Sequence, residues 1–140
     1  MGYDVYIDES SWFLPEMYYD DALKVMKDLN SRDELKRGGG STGERWFYWM
    51  PADYDETVES VEEILDLLGF ELAVEKGIGI SIIGFNNKHG DECTFLQSIA
   101  PYSSGHIVWI GEDGDRWKED YNGMLMKRYV PSDEWVRVYR

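Results

Sequence analysis

Hydrophobic and polar positions recur along this chain with two periods, one typical of strands and one of helices. Residues 3–7 alternate and predict a first strand, whereas apolar residues recur at helical spacing over residues 15–30. The clearest helix covers residues 57–68, with Thr57 as its predicted N-cap and Gly69 as its C-terminal stop. The apolar stripe of this helix consists of Val58, Val61, Ile64, Leu65 and Leu68.

The rest of the pattern predicts one more helix and a series of short strands. Residues 91–100 have helical spacing, with Asp91 as the predicted cap. Strands are predicted at 45–50, 70–74, 78–85, 106–111, 117–121 and 124–130, with an Asn122-Gly123 turn before the last. The order β-α-β-α-β-β-α-β-β-β indicates an α+β fold, in which helices pack on one face of a curved, mostly antiparallel sheet. We expect a single domain over residues 1–140, with a flexible glycine-rich loop at about 36–44.

The net charge of the chain limits the kinds of molecule that it is expected to bind. The chain has 28 acidic and 14 basic residues, a formal net charge of −14. Direct binding to nucleic acid or to an anionic membrane normally needs a basic face, so we expect neither. A basic protein partner, a cation and a merely solubilising surface all stay open. The single cysteine, Cys93, and the lack of an apolar run of the ~18–20 residues that a membrane span needs predict a cytoplasmic protein.

The acidic residues are not evenly spread. Residues 53–66 contain seven acids and no base. On the predicted helix, four of them lie at i, i+3, i+4 and i+7, opposite the apolar stripe: Glu59, Glu62, Glu63 and Asp66. Like charges at this spacing cost about 0.2–0.5 kcal/mol per pair. The stripe is therefore either a solvated helix face or a surface that binds a basic partner.

An aromatic run offers contact area for a partner or a ligand. As a strand, residues 45–50 would place Trp46 and Tyr48 on one face and Phe47 and Trp49 on the other. Either both faces are buried, or one face lines a groove in which Trp46 or Trp49 anchors a partner. Alternatively, Tyr48 and Trp109 stack on the base of a nucleotide while Lys88 or Arg116 binds its phosphate, with Trp46 as a further stacking surface.

Motifs for catalysis are weak. The run from Gly38 to Gly43 lacks the Gly-Lys-Ser/Thr pattern of a phosphate-binding loop. In the cluster His89, Asp91, Glu92 and Cys93, the cysteine is either a nucleophile beside a base or a small core residue. With one cysteine and two histidines, a structural zinc site is not expected, and residues 112–115 are typical of a hairpin turn. We predict no catalytic residue, no metal and no cofactor.

Several short motifs resemble those of a set of small uncharacterised proteins from bacteria and their phages. The motifs are Gly90-Asp91-Glu92, Phe95, Ile99-Ala100-Pro101, and Gly111-Glu112-Asp113-Gly114 followed by Trp117. Phe47-Tyr48-Trp49 and Leu67-Leu68-Gly69-Phe70 fit the same pattern, so the resemblance covers about residues 45–125. Where those proteins have Gly-Ser before a strand, this chain has Gly105-His106. The resemblance implies a compact intracellular domain that a phage could encode, and it implies no activity.

These observations lead to two hypotheses. The first is an acidic accessory binding protein, of the inhibitor or nucleic-acid-mimic type, that engages a basic surface of a host protein. Glu59, Glu62, Glu63 and Asp66 would steer the partner, and Trp46 or Trp49 would anchor it. The alternative is a small-ligand or nucleotide-binding protein with an aromatic-lined pocket.

Overall fold

The computed structural model describes residues 3–122, 126–130 and 135–138, which form eleven strands and four α-helices. The helices are α1 (Tyr19–Asp28), α2 (Tyr54–Thr57), α3 (Val61–Leu68) and α4 (Glu92–Ser98). The strands are β1 (Asp4–Ser10), β2 (Phe13–Pro15), β3 (Gly38–Gly39), β4 (Arg45–Trp46), β5 (Phe70–Glu75), β6 (Gly79–Phe85), β7 (Asn87–Lys88), β8 (Ser104–Gly111), β9 (Arg116–Asn122), β10 (Met126–Val130) and β11 (Val136–Val138). Gly123 and Met124, in the predicted turn and strand, lie outside the described residues.

Nine of these strands form one open sheet. Its order is β11-β10-β9-β8-β2-β6-β5, and β1 pairs with both β7 and β8 beside this path. All the described pairings are antiparallel. The two strands outside this sheet, β3 and β4, form a hairpin within the glycine-rich region. The predicted α+β class with a mostly antiparallel sheet is therefore confirmed.

One hydrophobic core joins the helices to the sheet. The five residues of the predicted apolar stripe are all buried, and Gly69 ends α3 with a φ of 111°. Phe95, Leu96 and Ile99 of the α4 region are buried as predicted, and Ile80 and Ile82 of β6 meet them in the same core. Because these elements share a core, their solvent-facing sides are held in fixed positions relative to one another.

The helix predicted at residues 57–68 begins later than expected. The chain is extended at Val58, where α2 ends, and α3 begins only at Val61. The cap is Ser60, whose side-chain oxygen accepts a hydrogen bond from the backbone N–H of Glu63 at 3.2 Å. The prediction of Thr57 as the cap was therefore wrong. Because Val58 is buried in its extended conformation, the apolar stripe gives no sign of the break.

The aromatic run is not a six-residue strand. Only Arg45–Trp46 forms β4, and the N–H of Met50 donates to the carbonyl of Phe47 in a turn. Trp49 has a φ of 74°, so the run does not have two alternating faces. A carboxylate oxygen of Asp91 accepts the N–H of Tyr48 at 2.9 Å. Asp91 thus fixes this turn, although its side chain does not cap α4 as predicted.

Among the described residues, no helix is long and apolar enough to cross a membrane.

Candidate functional site

Four acids lie on and just before α3, and we call Glu59, Glu62, Glu63 and Asp66 the acidic surface. Glu59 precedes Ser60, so it lies outside the helix that was predicted to hold it. Glu59, Glu63 and Asp66 are exposed, and Glu62 is half-buried. Burial, together with the nearby charge of Glu62, raises the pKa of the Tyr19 hydroxyl. The four acids are therefore close in the fold, but they do not form one helical stripe.

The charge of the acidic surface is not neutralised by nearby bases. None of its four carboxylates forms an ion pair with a residue that the structure describes. Several bases pair with other acids instead, including Lys24 with Asp28 and Lys88 with Asp4. The negative potential of this surface is consequently directed to solvent.

The two predicted anchors differ in exposure. Trp46 is half-buried in the β3–β4 hairpin, whereas Trp49 has 42% of its surface exposed and Tyr48 beside it has 39%. The indole N–H of Trp49 donates to the carbonyl of Lys88 at 3.1 Å. The next residue back, Asn87, donates from its side chain to the carbonyl of Leu68 at 3.3 Å. Trp49 is thus connected by two hydrogen bonds to the C-terminal end of α3.

The residues predicted for the alternative ligand pocket lie in different environments. Trp109 is only 2% exposed and stacks on Trp117, so its face is not accessible to a base. Lys88 binds Asp4 at 2.8 Å and Arg116 binds Asp8 at 2.7 Å. These carboxylates are four residues apart on β1, about 13 Å along a strand. Trp109 is therefore closed to a ligand, and the prediction that it stacks on a base was wrong. For Tyr48 with Lys88 or Arg116, the pocket stays a prediction.

A cavity of about 640 Å³ lies between α4 and the β10–β11 strands. The described residues that line it are Arg37, His89, Cys93, Thr94, Gln97, Met126, Lys127, Arg128, Arg137 and Val138. Sequence reasoning found His89 and Cys93 but not their basic neighbours. Lys127-Arg128 on a predicted strand and Lys36-Arg37 before the glycine run were the available signals.

Glu119 organises the floor of this cavity. Its carboxylate accepts hydrogen bonds from Trp109 Nε1 at 2.8 Å and from the Tyr121 hydroxyl at 3.1 Å. The same carboxylate lies 3.0 Å from Nη2 of Arg128 and 3.4 Å from the sulfur of Cys93. Burial and the charge of Glu119 raise the pKa of the Cys93 thiol. Because a nucleophilic cysteine needs a lowered thiol pKa, the geometry favours the interpretation of Cys93 as a packed neutral thiol.

Two further buried carboxylates hold basic groups at the cavity. Glu92 binds Nδ1 of His89 at 2.5 Å and accepts the N–H of Gly90 at 2.6 Å. Asp91 lies 3.5 Å from Nε of Arg37. Burial raises the pKa of Asp91, against the hydrogen bonds that it accepts from the N–H groups of Tyr48 and Arg37. Within the described residues, no group of three or more His, Cys, Asp or Glu side chains is placed to bind a metal ion.

Comparison of the chain with protein-family models, with curated proteins and with solved structures gives no significant match. The resemblance to small bacterial and phage proteins therefore stays a prediction from the sequence.

Proposed function

We propose that this protein is a binding protein whose acidic surface engages a basic surface of a partner protein. The observation that carries the proposal is the set of four carboxylates at α3 that form no ion pair with any residue the structure describes, within a 14-residue segment that holds seven acids and no base. A helix that is only solvated gains a few tenths of a kcal/mol from each opposite-charge pair on its surface, and α3 has none. Complementary charge on a partner would relieve this repulsion and steer the encounter.

Exposed apolar residues beside the acidic surface supply contact area. Leu67 on α3 is 39% exposed, and Trp49 and Tyr48 lie near the end of the same helix through the Lys88 and Asn87 hydrogen bonds. Aromatic side chains commonly provide the buried centre of an interface, with charges at its rim. We therefore assign the anchoring role to Trp49, and we give Trp46, which is half-buried, the smaller part.

The finer proposal is that the protein acts in the cytoplasm on a basic host protein, as an inhibitor or a nucleic-acid mimic. A single cysteine with a protonated, packed thiol suits a reducing compartment. A surface that displays carboxylates in place of phosphates suits a partner whose own site is basic. The resemblance to bacterial and phage proteins makes a bacterial lysate the appropriate source of partners.

The test is capture of proteins from bacterial lysate at low and high salt. The wild type is compared with a variant that carries Glu59→Gln, Glu62→Gln, Glu63→Gln and Asp66→Asn. We expect a basic protein that the wild type retains at low salt, that high salt releases, and that the variant retains about tenfold less. Trp49→Ala should also weaken retention, but it should leave the dependence on salt unchanged.

The matched control removes four other exposed acids, through Glu44→Gln, Glu75→Gln, Glu112→Gln and Asp115→Asn. It changes the net charge by the same amount, so it separates a local surface from overall acidity. Circular dichroism checks that both variants are folded. The proposal fails if the two variants lose the same proteins to the same extent, or if the wild type retains no basic protein at low salt.

A further inference from the structure

Basic residues are concentrated around the 640 Å³ cavity between α4 and the β10–β11 strands. Acids make up 28 of the 140 residues, so ten lining residues drawn at random would include two acids and one base. Among the described residues, the lining contains no Asp or Glu and four Arg or Lys, namely Arg37, Lys127, Arg128 and Arg137. The described lining is therefore basic, whereas the chain as a whole is acidic.

Three carboxylates lie behind the lining rather than in it. Asp91, Glu92 and Glu119 are each at most 2% exposed, and each contacts a basic group of the lining. They contact Arg37 at 3.5 Å, His89 at 2.5 Å and Arg128 at 3.0 Å. Such buried carboxylates fix the orientation of the groups in front of them, as the outer ligands of a binding site do. A fixed orientation reduces the entropy that a ligand must overcome.

The lining also contains hydrogen-bond donors for a ligand. The described contact of Arg37 with Asp91 uses Nε, and no described contact occupies the two terminal amino groups of this half-exposed side chain. Lys127 forms no ion pair with the described residues. Thr94 and Gln97 add neutral hydrogen-bonding groups from α4. The guanidinium group can bind two oxygens of one oxyanion, and the ammonium group contributes a further charge.

Cys93 does not repel an anionic ligand. Its thiol pKa is raised by burial and by the charge of Glu119, so the sulfur is neutral at pH 7. A thiolate in the cavity would repel a negatively charged ligand, whereas the neutral thiol does not. Met126 and Val138 complete the lining with apolar surface.

We propose that this cavity binds a small anion that carries a phosphate group. The volume lies within the range of about 300–1,000 Å³ that is typical of small-molecule sites. The apolar lining residues suit the organic part of a phosphorylated molecule. A nucleic acid strand does not fit this site, because the net charge of −14 that the whole chain carries repels a polyanion. This inference is independent of the acidic surface and of its protein partner.

The experiment is isothermal titration calorimetry of the full chain at low ionic strength. The probes are inorganic phosphate, a nucleoside monophosphate and the corresponding uncharged nucleoside. We expect binding of both phosphates and no binding of the nucleoside. Tighter binding of the nucleotide would assign the site to a phosphorylated small molecule, and equal affinities would assign it to phosphate itself.

Location is tested with Arg37→Gln and Lys127→Gln, which leave the buried Glu119–Arg128 pair intact. Each should weaken phosphate binding about tenfold, the effect of losing one charge-assisted hydrogen bond. The control is Lys76→Gln, which removes an exposed base from the β5–β6 turn and should change the affinity less than about twofold. Circular dichroism checks the folding of all three variants.

Absence of phosphate and nucleotide binding at millimolar concentration overturns the proposal, as does equal binding by the cavity variants and the wild type. Binding of an oligonucleotide without either small anion overturns it too.

Discussion

The carboxylate of Glu119 lies 3.0 Å from the guanidinium group of Arg128. Glu119 is almost completely buried. Trp109 and Tyr121 donate to the same carboxylate. One acid therefore connects β8, β9 and β10 beneath the basic cavity. The desolvation of such a pair is costly, and removal of one partner leaves the other charge without compensation.

We expect Glu119→Gln to lower the free energy of unfolding by about 3 kcal/mol, because it leaves the partly buried Arg128 unpaired. Urea denaturation followed by circular dichroism measures the change. The matched control is Asp8→Asn, which breaks the exposed pair of Asp8 with Arg116 and should cost less than about 1 kcal/mol. Similar losses in both variants would show that burial does not strengthen the Glu119 pair.

The same carboxylate controls the chemistry of Cys93. Burial and Glu119 raise the thiol pKa, so the reactive thiolate is scarce near neutral pH. At pH 8, we expect an aromatic disulfide reagent to modify the folded protein at least about tenfold more slowly than the urea-unfolded chain. Absorbance of the released thiol measures both rates. Equal rates would contradict the packed position of Cys93, and faster modification of the folded protein would restore the nucleophile interpretation of the His89–Cys93 cluster.

The start of α3 gives a third prediction. Because the hydroxyl of Ser60 accepts the N–H of Glu63, Ser60→Ala should lower the free energy of unfolding by about 1 kcal/mol. Thr57→Ala removes the residue that the pattern predicted as the cap and should cost less than about 0.5 kcal/mol. Thermal and urea unfolding compare the two variants. A larger loss for Thr57→Ala would mean that the helix begins earlier.

The apolar pattern predicted which residues are buried better than it predicted where helices begin. The stripe from Val58 to Leu68 is buried as expected, because burial follows spacing whether or not the helix is continuous. The break before Val61 could have been predicted from Ser60-Val61-Glu62-Glu63, which has the spacing of a capping box. In the aromatic run, the turn depends on Asp91, which is remote in sequence, so local periodicity could not predict it.

The two candidate sites also differ in how well the sequence predicts them. The acidic surface comes from one continuous segment, and counting charges along the chain was enough to find it. The basic cavity combines Arg37, the α4 region and β10, which meet only when β10 pairs with β9. Sequence proximity had suggested a link between His89 and Cys93, but the basic residues that give the cavity its charge come from distant segments.

Asp91 gives a prediction with a defined direction in pH. Burial raises its pKa above the ordinary value of 3.8, so folding favours the protonated carboxyl group. The resulting stabilisation is fully present below pH 3.8 and is lost as the pH rises through the pKa of the folded state. We therefore expect the stability of the wild type, relative to Asp91→Asn, to fall as the pH rises from 3.8 through the higher pKa of the folded state. Urea denaturation at a series of pH values measures this difference, with the exposed Asp115→Asn as the reference. A difference that grows in favour of the wild type would show that the contacts of Asp91 with Arg37 and Tyr48 outweigh its burial.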